Sequence, residues 1–176
     1  MTVELAEYLI GLDKYIIQGG GIANSFQMNI EYPMDFRLQL TAPDDLDQNL
    51  MVAIRESEKK SLKITLHHQD NSTQNGLLRI DYNARHLNPA DITPSVPEKF
   101  KPFAGLLLDE YAGHIHYVVN DYKPLAWAIP LEVDDFPIKQ LTAQKDYKDI
   151  LQAFFDKINL RTTITYNHQM RLICTG

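Results

Sequence analysis

Three histidines are the residues of this chain best suited to chemistry. His114 and His116 are two residues apart in an apolar segment, and His86 precedes them. Residues two apart on a β-strand point to the same face, so the first two imidazoles are expected to be neighbours. An imidazole titrates near neutral pH, which suits acid–base catalysis, and its neutral form binds transition metals.

Arg79 and Asp81 form a second polar pair, also two residues apart, inside the apolar segment 76–82. Polar groups on such a strand must be hydrated or paired with a partner. If this strand lies beside the strand of His114, one face of the sheet carries a guanidinium, a carboxylate and two or three imidazoles. That adjacency is an assumption about the tertiary structure.

The favoured hypothesis is metal-free chemistry on an RNA phosphodiester. Two imidazoles of the set His86, His114 and His116 would act as base and acid, since a histidine side chain ordinarily titrates at about 6.5, near neutral pH. Asp81 would orient an imidazole, and Arg79 would neutralise the phosphate. A binding pocket for a phosphate or carboxylate, without turnover, is an alternative for the same residues.

A divalent metal is the alternative cofactor for this set. The three histidines would bind Zn²⁺, Fe²⁺ or Mn²⁺, with Asp81 or Asp121 as the fourth ligand. We expect no metal, because no carboxylate lies at a convincing ligand spacing from them.

Asn88 and Trp127 are the two further residues expected to contact a substrate, through an amide hydrogen bond and through stacking on a base. A turn at Asn88 and core packing of Trp127 are the structural alternatives. An exposed His-x-His and a salt bridge between Arg79 and Asp81 are the corresponding alternatives for the main cluster. The pair His67-His68, at the end of a strand, is expected to be exposed.

The apolar spacing predicts an α+β fold with a mainly antiparallel sheet of five to seven strands. Helices are expected over 3–17 and from near Thr142, with Tyr147, Ile150, Leu151, Phe154, Phe155 and Ile158 on the buried face of the second. Strands are expected over 26–32, 35–41, 61–67, 76–82, 114–119 and 125–131, with hairpins joining the first two, the middle two and the last two. A final hairpin or tail follows over 164–174.

Length and composition favour one domain over 1–176, with a long proline-rich connection near 87–112. The chain has 176 residues, 44% of them hydrophobic, and a net charge of −6. It lacks an apolar run long enough for a membrane span and a basic leader, so a cytoplasmic location without membrane contact is expected. Its single cysteine, Cys174, excludes an intramolecular disulfide.

The order of four motifs resembles a family of small bacterial proteins to which no activity is assigned. The motifs are Leu77-Leu-Arg-Ile-Asp81 with His86-Leu-Asn-Pro89, His114-Ile-His116, Trp127-Ala-Ile-Pro-Leu131 and a terminal helix near Tyr147. The similarity spans roughly 35 to 160. It implies a grouping and a site around these motifs but no reaction.

The expected function is that of a small bacterial or mobile-element protein, a toxin-like ribonuclease or another phosphodiester-acting enzyme. Its partners would be RNA or a nucleotide, and a cognate antitoxin. The alternative is a non-enzymatic module that binds or inhibits a host or phage protein, for which the acidic net charge would suit a basic partner surface. The oligomeric state is left open.

Overall fold

The computed structural model describes residues 1–111 and 113–168, which form two α-helices and twelve β-strands. In chain order the elements are α1 (Val3–Gly11), β1 (Tyr15–Gln18), β2 (Gly21–Ala23), β3 (Ser25–Ile30), β4 (Asp35–Thr41), β5 (Leu50–Glu56), β6 (Ile64–Asp70), β7 (Asn75–Tyr82), β8 (His86–Leu87), β9 (Leu107–Leu108), β10 (His114–Tyr117), β11 (Trp127–Pro130), α2 (Tyr147–Lys157) and β12 (Thr163–His168). Within these ranges, no helix has the length and apolar character needed to cross a bilayer.

Eight strands build one antiparallel sheet in the order β11-β10-β7-β6-β5-β4-β1-β2. The predicted α+β class is therefore confirmed, but the predicted five to seven strands are too few. Part of the excess comes from the N-terminus, where α1 ends at Gly11 and β1 begins at Tyr15. The β-branched pair Ile16-Ile17 packs better in a strand than in a helix, so the predicted helix over 3–17 is too long.

The strand β3 does not form the predicted hairpin with β4. It pairs instead in parallel with β12, with Ser25 opposite Thr163. An alternating pattern predicts a strand but does not specify its partner, and here the partner lies more than a hundred residues away. The second half of the predicted C-terminal hairpin, 170–174, lies outside the described residues.

The two faces of the eight-stranded sheet differ in chemistry. One row across the apolar face consists of residues that are all 0% exposed: Ile54, Leu66, Ile80, Ile115 and Ile129. This face joins the buried residues of both helices in one core. The predicted apolar face of the last helix is confirmed, since its six residues are all buried. That helix begins at Tyr147 rather than near Thr142.

The connection over 87–112, of which the structure describes 87–111, is tied to the rest of the fold at a few buried residues. Its start pairs with β9 through the short strand β8, and Val96 and Phe100 enter the core. A 3₁₀ turn at Lys101–Phe103 follows. The apolar residues within this segment explain why it folds back onto the sheet rather than extending into solvent.

Candidate functional site

The strand order places the predicted site residues in two adjacent rows across the polar face of the sheet. The first row is His116, Arg79, His67, Ala53 and Arg37, and the second is His114, Asp81, Thr65, Arg55 and Asp35. The assumed adjacency of the strands at Gly76 and His114 is therefore confirmed, because β7 pairs with β10.

Asp81 is the central residue of the first candidate site. We call this site, which consists of Asp81, His114 and His116, the histidine centre. The Oδ2 atom of Asp81 lies 2.9 Å from Nε2 of His116 and 3.5 Å from Nε2 of His114. Its other oxygen accepts a 2.5 Å hydrogen bond from the Thr65 hydroxyl. All three members are buried, with 5%, 1% and 0% of their surface exposed.

His116 is held in one tautomer by the backbone. Its Nδ1 lies 2.9 Å from the carbonyl oxygen of Leu125. A carbonyl can only accept, so Nδ1 carries the proton and donates, which leaves the lone pair of Nε2 facing Asp81. Burial lowers the pKa of His116 to about 4, although the contact with Asp81 acts in the opposite direction. The ring is therefore neutral at physiological pH.

His114 differs from His116 because neither of its ring nitrogens has a hydrogen-bond partner among the described residues. The 3.5 Å approach to Asp81 lies beyond ordinary hydrogen-bond distances and does not satisfy Nε2. Buried polar atoms are normally paired, so this imidazole is held in place at a cost to stability. Nε2 of His68 and Nε1 of Trp127 also have no hydrogen-bond partner within 1–111 and 113–168, but within these ranges they do not cluster with other ligand-type atoms.

Arg79 bridges the two acceptors of the centre. Its Nε donates to Asp81 Oδ2 at 2.8 Å, and its Nη2 lies 2.8 Å from Nε2 of His116. Burial alone would raise the pKa of Asp81, but the adjacent guanidinium of Arg79 holds that pKa well below its usual value. About a third of the Arg79 side chain stays exposed, so it connects the buried centre to the surface.

His86 covers the centre without entering the ligand cluster. Its ring packs edge-on against His116, with centroids 4.4 Å apart, and stacks 5.9 Å from His114. Its Nε2 donates to the carbonyl oxygen of Ala126 at 3.0 Å, which leaves Nδ1 unprotonated. Burial is the main cause that lowers the pKa of His86. The three predicted imidazoles therefore converge, with His86 half-buried above the other two.

One family model matches most of the chain. The model of DUF6978, a family of unknown function, matches residues 1–160. The chain belongs to this family. The match includes the histidine centre, His86 and both helices, and it confirms the expected grouping with a family that has no assigned activity. No curated protein and no solved structure matches the chain.

Two residues expected to bind substrate have structural contacts in this DUF6978 protein. The Asn88 amide donates to the carbonyl oxygens of Phe103 and Ala128, and its oxygen accepts from the Ala128 N–H at 2.8 Å. These bonds tie the long connection to β11 and leave the amide without a free donor. Trp127 is 0% exposed and packs edge-on against Phe100 and Tyr122, so no base can stack on it.

Other expectations about polar residues need correction as well. His68 was expected to be exposed but points into the core, where burial lowers its pKa to about 3. His67, its neighbour, lies on the polar face because side chains alternate along β6. Asp121, the alternative metal ligand, is exposed and is not in the cluster with His114.

The polar face also brings together residues that sequence reasoning missed. Arg37, Arg55, His67 and Arg79, which we call the arginine face, line a cavity of about 370 Å³ beside the histidine centre. The small side chain of Ala53 lies on the cavity wall between the first and third of these. The available signal was the alternation of β4 and β5, which places both arginines on the polar side.

Gly76 leaves room for the side chain of Leu125, the residue whose carbonyl oxygen contacts His116. A β-carbon at Gly76 would lie 2.3 Å from Cδ1 of Leu125 and 3.0 Å from Cε1 of His67. Only glycine therefore lets Leu125 approach the strand this closely. Asn75 and Gly76 lie in β7 opposite Asp70 and Gln69, and the turn of the predicted hairpin between β6 and β7 precedes them. The hairpin itself is confirmed.

Proposed function

We propose that this protein binds a phosphate-bearing substrate, RNA or a nucleotide, on the arginine face and acts on its phosphodiester beside the histidine centre. The observation that carries the proposal is the segregation of charge. Three of the six arginines lie on one sheet face and line one cavity, although the chain has a net charge of −6.

The type of charge favours phosphate as the ligand. Guanidinium groups present paired donors that match phosphate oxygens, and they are over-represented at phosphate sites for that reason. The two rows of the polar face carry three guanidinium groups but only two carboxylates, Asp35 and Asp81. Asp81 is engaged within its centre, and Asp35 reaches Arg55 only at 3.9 Å, with both side chains exposed.

His86 is the imidazole that we assign to the reaction. It is half-buried, whereas His114 and His116 have almost no exposed surface. Its Nδ1 is unprotonated because Nε2–H donates to the Ala126 carbonyl, so it can accept a proton from a nucleophile. Arg79, at the border of the cavity and the centre, would hold the phosphate against it.

A non-enzymatic module is the second candidate, and a different feature favours it. Asp135, Asp149 and Asp156 line a groove of about 500 Å³ along α2. An acidic groove suits a basic surface on a protein partner. The toxin-like and inhibitor-like variants of the proposal differ in which of these two faces meets the target.

Binding and cleavage of a fluorescein-labelled single-stranded RNA test the proposal. Fluorescence anisotropy at rising salt should show salt-sensitive binding, because phosphate contacts release counterions. The double variant Arg37→Gln/Arg55→Gln should weaken binding about tenfold or more. The matched control Arg161→Gln removes an exposed arginine that pairs with Asp13 and should bind like wild type.

Gel analysis of the same RNA separates catalysis from binding at the arginine face. Cleavage that disappears in His86→Ala while binding persists supports the enzyme. Binding without cleavage in the wild type supports a phosphate-binding site without turnover. RNA affinity that is unmeasurable, or equal in the double variant and the wild type, contradicts the proposal.

A further inference from the structure

The histidine centre has the spacing of a metal site. Two ligand atoms bound to one ion at ~2.1 Å are separated by about 3.0 Å at a right angle and about 3.4 Å at a tetrahedral angle. The Oδ2 atom of Asp81 lies 2.9 Å and 3.5 Å from the two imidazole nitrogens. All three ligand atoms lie within 4.8 Å of one another.

The groups around the centre orient its ligands through hydrogen bonds, as the neighbours of metal ligands do in known metal sites. Metal-binding histidines usually donate their other N–H to a carbonyl, and metal-binding carboxylates are usually hydrogen-bonded. Here Nδ1 of His116 donates to the Leu125 carbonyl, and Thr65 donates to the second oxygen of Asp81. The lone pairs of Nε2 and Oδ2 are therefore both directed at the same small volume.

Two acceptors held this close repel each other unless a cation or a proton lies between them. The guanidinium of Arg79 supplies that charge, with 2.8 Å contacts to both. This guanidinium does not reach His114, which has no hydrogen-bond partner among the described residues. A guanidinium thus satisfies two of the three ligands, whereas a metal ion would satisfy all three.

We propose that Asp81, His114 and His116 bind one divalent transition-metal ion in exchange for the guanidinium of Arg79. Two imidazoles and one carboxylate suit Zn²⁺, Fe²⁺ or Co²⁺ rather than Mg²⁺ or Ca²⁺. Arg79 already borders the arginine-face cavity, so the released guanidinium can remain beside it. His86 is not part of this ligand set, because among the described residues only the ligand atoms of Asp81, His114 and His116 cluster together. The inference concerns the metal alone and holds whether or not RNA binds.

Titration of chelator-treated full-length protein with Co²⁺ tests the proposal through the visible absorption of the bound ion. One equivalent should bind saturably to the wild type. Asp81→Asn, which keeps the side-chain shape, and His114→Phe should each weaken binding at least about a hundredfold. His86→Gln should retain binding, which distinguishes this ligand set from one that includes His86.

Arg79→Gln is the decisive variant, because the proposal makes Arg79 a competitor of the ion. Its Co²⁺ affinity should rise several-fold, whereas Arg161→Gln should leave the affinity unchanged. If Asp81→Asn fails to fold by circular dichroism, the wild-type stoichiometry and Arg79→Gln still decide. Absence of saturable binding, wild-type affinity in a folded Asp81→Asn protein, or weaker binding in Arg79→Gln would overturn the proposal.

Discussion

Lys14 and the histidine centre are both buried, but they differ in how fully their hydrogen bonds are made. Lys14 is 0% exposed, and its ammonium donates to the carbonyl oxygens of Ile10, Leu12 and Ile158 at 2.7–2.8 Å. All three of its protons are used. The histidine centre is equally buried, yet His114 has no hydrogen-bond partner among the described residues.

The difference follows from what surrounds each cluster. Ile10 lies in the last turn of α1, and Ile158 caps the end of α2. Helix C-termini carry carbonyls without intrahelical partners, and a cation is favourable there. Lys14 therefore joins the ends of two helices, and its role is structural. A buried cluster with unmet hydrogen bonds lowers stability, so it is the better candidate for binding a ligand.

The largest expected change in the free energy of unfolding comes from lowering the pH, which acts on the histidine centre and not on Lys14. His116, with its pKa lowered to about 4, stays neutral when folded and becomes protonated when unfolded. Its stabilising contribution is present above pH 6.5 and is lost as the pH falls towards 4, a change of about 3 kcal/mol. His68, with its pKa lowered to about 3, adds a similar loss.

Lys14 does not contribute to the pH dependence of the free energy of unfolding below about pH 6. Burial lowers its pKa to about 7, so it is protonated in both the folded and the unfolded state at lower pH. Urea unfolding between pH 6 and 4 measures the effect, and His68→Leu should retain roughly half of the slope. A free energy of unfolding that does not change over this range would contradict the neutral, buried state of both imidazoles.

The next largest effect is expected from Lys14→Met. This change removes three hydrogen bonds and leaves the carbonyl oxygens of Ile10, Leu12 and Ile158 without this donor, so the free energy of unfolding should fall by about 4 kcal/mol. Urea unfolding at pH 7 measures the loss. Lys123→Met, at a turn before β11, serves as the matched surface control and should stay within about 0.5 kcal/mol of the wild type. Equal stability of the two variants would mean that Lys14 is not the structural contact we infer.

The smallest effect is expected from His114→Phe. Because the ring nitrogens of His114 have no hydrogen-bond partner in the part of the chain that the structure describes, an apolar ring of similar shape should change the free energy of unfolding by less than about 1 kcal/mol, in either direction. Asn88→Ala, which removes an amide with three hydrogen bonds, should instead destabilise by about 2 kcal/mol. A large loss in His114→Phe would remove the distinction between the two clusters.

The candidate site could be predicted from the sequence only in its local relations. The two-residue spacing of Arg79 and Asp81, and that of His114 and His116, correctly placed each pair on one face. The arginine face was missed because Arg37 and Arg55 lie far away in sequence, and only strand order brings them opposite His67 and Arg79. The polar contacts of Asn88 and the burial of Trp127 likewise depend on a connection whose path the sequence does not specify.

For this protein the sequence alone determined the α+β class, most strands of the sheet, two hairpins around the site and the buried face of α2. These depend on period-two and helical patterns, which are local properties of the chain. The tertiary structure alone decided that β3 pairs with β12 and that eight strands share one sheet. It also decided that the side chains of Thr65, Arg79, His114 and His116 meet around Asp81. Pairing between distant strands depends on how the whole core packs, so no local pattern encodes it.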